Sequence, residues 1–184
     1  NLCRVDPRNV LNVKEFEFSQ NYLMFWDKLE RANFILEAII ETSDRPADDR
    51  TVAFLLRNPI SDGGQWDMFT ALVAKHGVVP KTSMPETESS ANSSRMNASL
   101  NYQTRQGAKS IRDAYANESG LDELRTIKDK TLKVIYDVLC IHLGTPPTEV
   151  DWQWKDKDGE FTRSGKLSPL QFAESYLQLS LIHI

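Results

Sequence analysis

The residues of this chain that could make a thiol nucleophile are Cys3 and Cys140, and the imidazoles that could activate one are His76, His142 and His183. Nucleophilic catalysis by sulfur needs a base within hydrogen-bond reach of the thiol. Cys140 and His142 stand two apart in a stretch that reads as helix, so they point to different faces and cannot form that pair. His142 continues the stripe of Ile135 and Val138, while His76 falls where a helix C-terminus attracts a cation. Both read as packed or capping histidines, and Cys140 as a buried, inert thiol. No Cys-x-x-Cys pair, zincin string, phosphate loop or dinucleotide fingerprint occurs, and Asp156-Lys157-Asp158-Gly159 lacks the glutamate and the length of a calcium loop. Neither a metal nor a cofactor is expected, and spacing alone offers no catalytic residue.

Asp62-Gly63-Gly64 is the other string with chemical potential. Two adjacent glycines let a backbone approach another chain closely, as when an extended peptide pairs with a loop. Local sequence favours a plainer reading, a tight turn in which Asp62 caps the next helix.

The elements that would position these residues are mostly helical. Ser19 can cap a long first helix whose apolar positions Tyr22, Phe25, Trp26, Leu29, Leu36, Ile39 and Ile40 recur at helical spacing, with Phe18 and Leu23 as a hydrophobic staple. A short apolar run, Val52 to Leu56, ends at Asn58-Pro59. Gln65 to His76 reads as a helix with Trp66, Phe69, Leu72 and Val73 on one face and Gly77 as a left-handed stop. Thr87 to Ser99 is dense in Ser, Asn and Thr and predicts a long surface loop. Helices follow at about Leu100 to Asn117 and Leu121 to Leu143, the second with Leu124, Ile127, Ile135, Val138 and Leu139 facing the core. Trp152 to Thr162 predicts a hairpin turning at Asp158-Gly159, and Ser168-Pro169-Leu170-Gln171 opens a last helix with a capping box.

The composition suits such a chain. Its 184 residues are 40% apolar and 26% charged with only eight glycines and eight prolines, which excludes collagen-like or wholly disordered chains. A net charge of -4 removes the basic excess of a dedicated nucleic-acid binder or an anionic-membrane binder. No apolar run approaches the ~18 residues of a membrane span. Two cysteines cannot build a disulfide framework, so reduced thiols and a cytosolic setting are expected. Asn92, Asn97 and Asn117 begin N-x-S triplets that would matter only in a secreted protein.

Longer strings carry a resemblance. Phe16 to Glu30, Asn58 to Met68, Gly77-Val78-Val79-Pro80-Lys81, Met84-Pro85-Glu86-Thr87, Leu143 to Pro147 with Asp151-Trp152, and Ser168 to Phe172 together resemble the bleomycin hydrolase and aminopeptidase C family of papain-like cysteine peptidases. The similarity runs from Asn1 to about Leu177. It implies an α+β, predominantly helical fragment: the helical left part of a papain-like peptidase, with a family-specific helical insertion and a short β-hairpin. Residues 1–178 are expected to be a partial peptidase domain.

In that family the nucleophile lies in a Gly-x-Cys-Trp string whose helix continues into something similar to Asn1-Leu2-Cys3-Arg4, so it would precede Asn1 by about two helical turns. Arg4 rather than Trp follows Cys3, and no histidine here matches a catalytic string of the family. The expectation is an interior fragment without its triad, itself inactive. Residues 179–184 depart from the family and resemble a translated sequencing adapter. Against the plainer turn reading, the resemblance makes Asp62, Gly63 and Gly64 a substrate wall, with Gln65 and Met84 as weaker pocket candidates. The implied parent is a cytoplasmic aminopeptidase that takes peptides, needs no cofactor and assembles as a homo-oligomer, a hexamer in the family. Neither membrane nor nucleic acid is an expected partner. The competing expectation is a catalytically inert papain-like helical domain kept for binding or scaffolding.

Overall fold

The computed structural model describes residues 11–61 and 63–177. Among them lie the helices α1 (Gln20–Glu41), α2 (Arg50–Arg57), α3 (Trp66–His76), α4 (Glu88–Ala91), α5 (Ser94–Ala116) and α6 (Leu121–Leu143), the strands β1 (Val150–Lys155) and β2 (Phe161–Leu167), and the helix α7 (Pro169–Tyr176). The chain is thus a predominantly helical α+β fold with one short hairpin. Contacts cluster in two units.

The helical unit comprises Phe25–Gly63 and Thr87–Thr145. Its core joins Ile35, Leu36, Ile39 and Ile40 of α1 to Val52 and Leu55 of α2, Ala108 and Ile111 of α5 and Leu124 of α6. The 3.6-residue repeat predicts that α1 stripe, because positions three and four apart share a face. Asp49 caps α2 by accepting the Thr51 N–H at 2.8 Å and the Val52 N–H at 3.3 Å. Gly107 lets α5 and α6 approach closely: a Cβ there would lie 2.4 Å from the Thr131 methyl.

Instead of the loop predicted over Thr87 to Ser99, the chain forms α4 and the first turns of α5. Its polar residues serve as helix starts. The Thr87 hydroxyl accepts the Ser90 N–H at 3.1 Å and the Ser90 hydroxyl accepts the Thr87 N–H at 2.9 Å, a reciprocal cap. Met96 and Leu100 are fully buried and hold the added turns down. Residues that compete with helix hydrogen bonds in mid-helix satisfy exposed N–H groups at a helix start, and the same composition serves either outcome.

The second unit holds the described parts of Asn1–Met24, Gly64–Glu86 and Pro146–Ile184. Here β1 and β2 pair antiparallel, from Val150 opposite Leu167 to Lys155 opposite Phe161, with a bulge between Trp152 and Gln153. Asp156 organises the turn by accepting the N–H groups of Asp158 and Glu160, each at 2.9 Å. Burial works against its ionised form, yet these N–H groups and the Asn12 amide outweigh that and hold its pKa below the ordinary 3.8. The core is aromatic: Phe172 meets Phe18 and Trp152 edge-on with centroids 6.3 Å and 5.3 Å apart, and Phe16 meets Phe18 at 4.9 Å. Phe18 and Leu23 both join this cluster, as the staple requires. Serine 168 and Gln171 form the predicted capping box of α7. Gly77 ends α3 at φ 72° and ψ -160°, an extended conformation on the positive-φ side rather than the compact left-handed stop.

Candidate peptide-binding site

Within the helical unit, the glycine-bearing loop after α2 is held by side chains from α1 and α5. The Ile60 N–H donates to Asn101 Oδ1 at 3.0 Å. Lys28 Nζ donates to the Ser61 carbonyl at 3.1 Å, and Arg31 donates through Nη2 to the Gly63 carbonyl. Arg31 Nη1 reaches the Ser61 hydroxyl at 3.5 Å, while its Nε donates to Asp27 Oδ2 at 2.8 Å. Lys28 and Arg31 are three apart on α1, which places them side by side on one helix face. Lys28 is only 2% exposed, unusual for a cation, and is stabilised by a carbonyl partner.

Gly63 itself is exposed, and a Cβ built on it would meet no atom within 4 Å among the described residues. Gly64, Gln65 and Met84 belong to the second unit. Gln65 is the cap position of α3, exposed and without a side-chain cap bond. Asp62 lies outside the described residues. Met84 is a core residue, 4% exposed, and its carbonyl accepts the Ser19 hydroxyl at 2.5 Å. That hydroxyl also accepts the Tyr22 N–H at 3.0 Å, so the start of α1 and the Met84 backbone are tied through one oxygen.

Cys140 is half-buried. The Tyr136 phenol is pushed above its ordinary 10.0 by burial and by Cys140 beside it, which places a phenol next to this thiol. His142 Nδ1 pairs with the Ser89 hydroxyl at 2.9 Å. His76 sits in the last turn of α3, and its carbonyl accepts the Tyr22 hydroxyl at 2.6 Å. Cys3 and His183 lie outside the described residues. Among the described residues no group of three or more His, Cys, Asp or Glu is placed to hold a metal ion, and no helix is long and apolar enough to cross a membrane.

Lys28, Arg31 and Asn101 were not anticipated from the sequence. A signal existed for one of them: Lys28 occupies the α1 stripe between Phe25 and Ala32, both fully buried, where periodicity calls for an apolar side chain.

Known proteins share this arrangement of elements. PepW from Lactobacillus rhamnosis, a solved structure, matches with a TM-score of 0.91 at 40% identity, covering 95% of this chain and 39% of that one. Human bleomycin hydrolase is 40% identical over 180 residues, 97% of this chain and 40% of that protein. Aminopeptidase C of Listeria monocytogenes is 41% identical over 181 residues, 98% of this chain and 40% of that protein. The fold is therefore that of the helical part of a papain-like cysteine peptidase. Residues 1–183 match the peptidase C1-like family, and the chain belongs to it. It spans about two fifths of the length of these relatives.

Proposed function

We propose that the chain is part of a cytoplasmic cysteine aminopeptidase that removes N-terminal residues from peptides through a thioester acyl-enzyme. In such a reaction a thiolate adds to the scissile carbonyl, an imidazolium protonates the departing amine, and water then hydrolyses the thioester. The thiol and imidazole of this chemistry are not assigned to any described residue. What this chain contributes is a wall for the extended substrate at Gly63 and Gly64, with Gln65 and Met84 as further candidates. The observation that carries this role is the open space on the Cβ side of Gly63. Packing among the described residues does not demand a missing side chain there, whereas a peptide main chain laid against the loop would. A homo-oligomer is the assembly this reading entails.

The test uses the full-length protein with fluorogenic aminoacyl substrates, free or blocked at the amino group. Thiol-dependent cleavage of the free form, little cleavage of the blocked form, and a higher KM with lower kcat/KM in Gly64→Val are expected. Absence of turnover would favour an inert binding domain of the same fold; unchanged kinetics in Gly64→Val would remove the glycine wall from the reading.

A further inference from the structure

We infer that Lys28 and Arg31 are positioning residues that aim the Gly64 N–H at the bound peptide, an inference that rests on the peptide-wall reading of this loop. Two successive odd-numbered carbonyls of the loop, those of Ser61 and Gly63, are each committed to a cation on α1. The described residues include no cis peptide bond, so the unit joining Gly63 to Gly64 is planar and trans. In a trans peptide the C=O and the following N–H point to opposite sides. A Gly63 carbonyl drawn toward Arg31 therefore turns the Gly64 N–H away from α1. The guanidinium cannot wander, because Asp27 Oδ2 accepts its Nε at 2.8 Å one helical turn back.

The cation does more than orient. A charge-assisted hydrogen bond to a carbonyl polarises the whole amide, and the N–H at its far end becomes a stronger donor. Lys28 anchors the loop two residues earlier through the Ser61 carbonyl and is 2% exposed, so that hold is shielded from water. Asn101 of α5 adds a further hold by accepting the Ile60 N–H at 3.0 Å. The Ser61 and Gly63 carbonyls are thus committed to α1, which leaves the Gly64 N–H as a preorganised donor for a substrate main chain.

The experiment measures KM and kcat separately for a peptide substrate in the full-length enzyme, with thermal unfolding alongside. Arg31→Ala should raise KM about 3- to 10-fold, the value of one hydrogen bond, with kcat changed less than about 2-fold. Arg31→Lys keeps the charge without the fork and should give an intermediate KM. A structural role alone would lower the unfolding temperature and leave this KM series flat. If Arg31→Ala fails to fold, Arg31→Lys decides: an intermediate KM supports the inference and a wild-type KM overturns it. Unchanged KM in Arg31→Ala with a raised KM in Gly64→Val overturns the positioning role and leaves the wall standing. Unchanged KM in both removes the wall, and the positioning role with it.

Discussion

A Cβ built on Gly77 would lie 2.2 Å from the Pro169 carbonyl carbon and oxygen and 2.5 Å from the Leu170 nitrogen, at a φ of +72°. The close approach has a cause: the Val78 N–H donates to the Pro169 carbonyl at 3.1 Å, which docks the first turn of α7 at the end of α3. Gly144 ends α6 at φ +87°, and a Cβ built on it would meet no atom within 4 Å among the described residues, so only its backbone conformation requires glycine. The two positions separate strain from collision. Gly144→Ala should cost about 1–2 kcal/mol from conformation alone. Gly77→Ala adds an overlap with backbone atoms that cannot swing aside, so it should cost about 3 kcal/mol or more. Urea unfolding of the two variants beside wild type checks the order; equal losses would mean that α7 yields to the new methyl group. The glycine stops themselves were legible, since Gly after a periodic apolar run and near proline marks a helix end. The neighbour of Gly77 was not, because Pro169 lies far along the chain and no local pattern announces which segment will dock there.

At the scale of elements, helix ends and helix faces were legible to different degrees. Ser168-Pro169-Leu170-Gln171 declared its capping box in four letters, because every partner is local. Ser168→Ala removes an acceptor for the Gln171 N–H at 3.2 Å and should cost about 1 kcal/mol, read as a shift in urea midpoint. Thr87 and Ser90 form the same device, but the surrounding polar residues masked it until buried Met96 and Leu100 decided for helix. Between elements, Glu37 of α1 accepts Lys128 Nζ at 2.8 Å and Arg125 Nη2 at 3.1 Å from α6. The Lys128 hydrogen bond is the chief cause that holds its pKa below the ordinary 4.5; burial opposes this, and Arg125 adds to the lowering. A depressed carboxyl stabilises the fold above its unfolded pKa and loses that contribution as pH falls through the folded value. With its side chain 31% exposed, the pair should be worth under about 1 kcal/mol. Glu37→Gln should therefore weaken the protein slightly at pH 7, and the gap from wild type should close as the solution is acidified below 4.5. A gap that stays constant with pH would assign the loss to packing.

On the scale of the whole molecule, the chemistry and the scaffold separate. The family was legible because long strings such as Asn58 to Met68 survive together, and the fold of this part of the family is kept at 40% identity. Most of the support of the glycine loop was not legible: Lys28 stands out in the apolar stripe of α1, but its partner and those of Arg31 and Asn101 lie at a distance in sequence. Sulfur chemistry needs a thiol and an imidazole in contact, and within the helical unit Cys140 stands beside Tyr136 while His142 is engaged by Ser89. A tyrosine whose own proton is held more tightly than usual cannot serve as the base for that thiol near neutral pH. The chain expressed as these 184 residues should accordingly release no fluorophore from an aminoacyl substrate, with or without added thiol. Cys140→Ser should leave that blank unchanged, which separates a silent scaffold from weak catalysis at an unassigned site. Turnover abolished by Cys140→Ser would place the nucleophile on α6, where helical spacing and the tyrosine beside it argue against it.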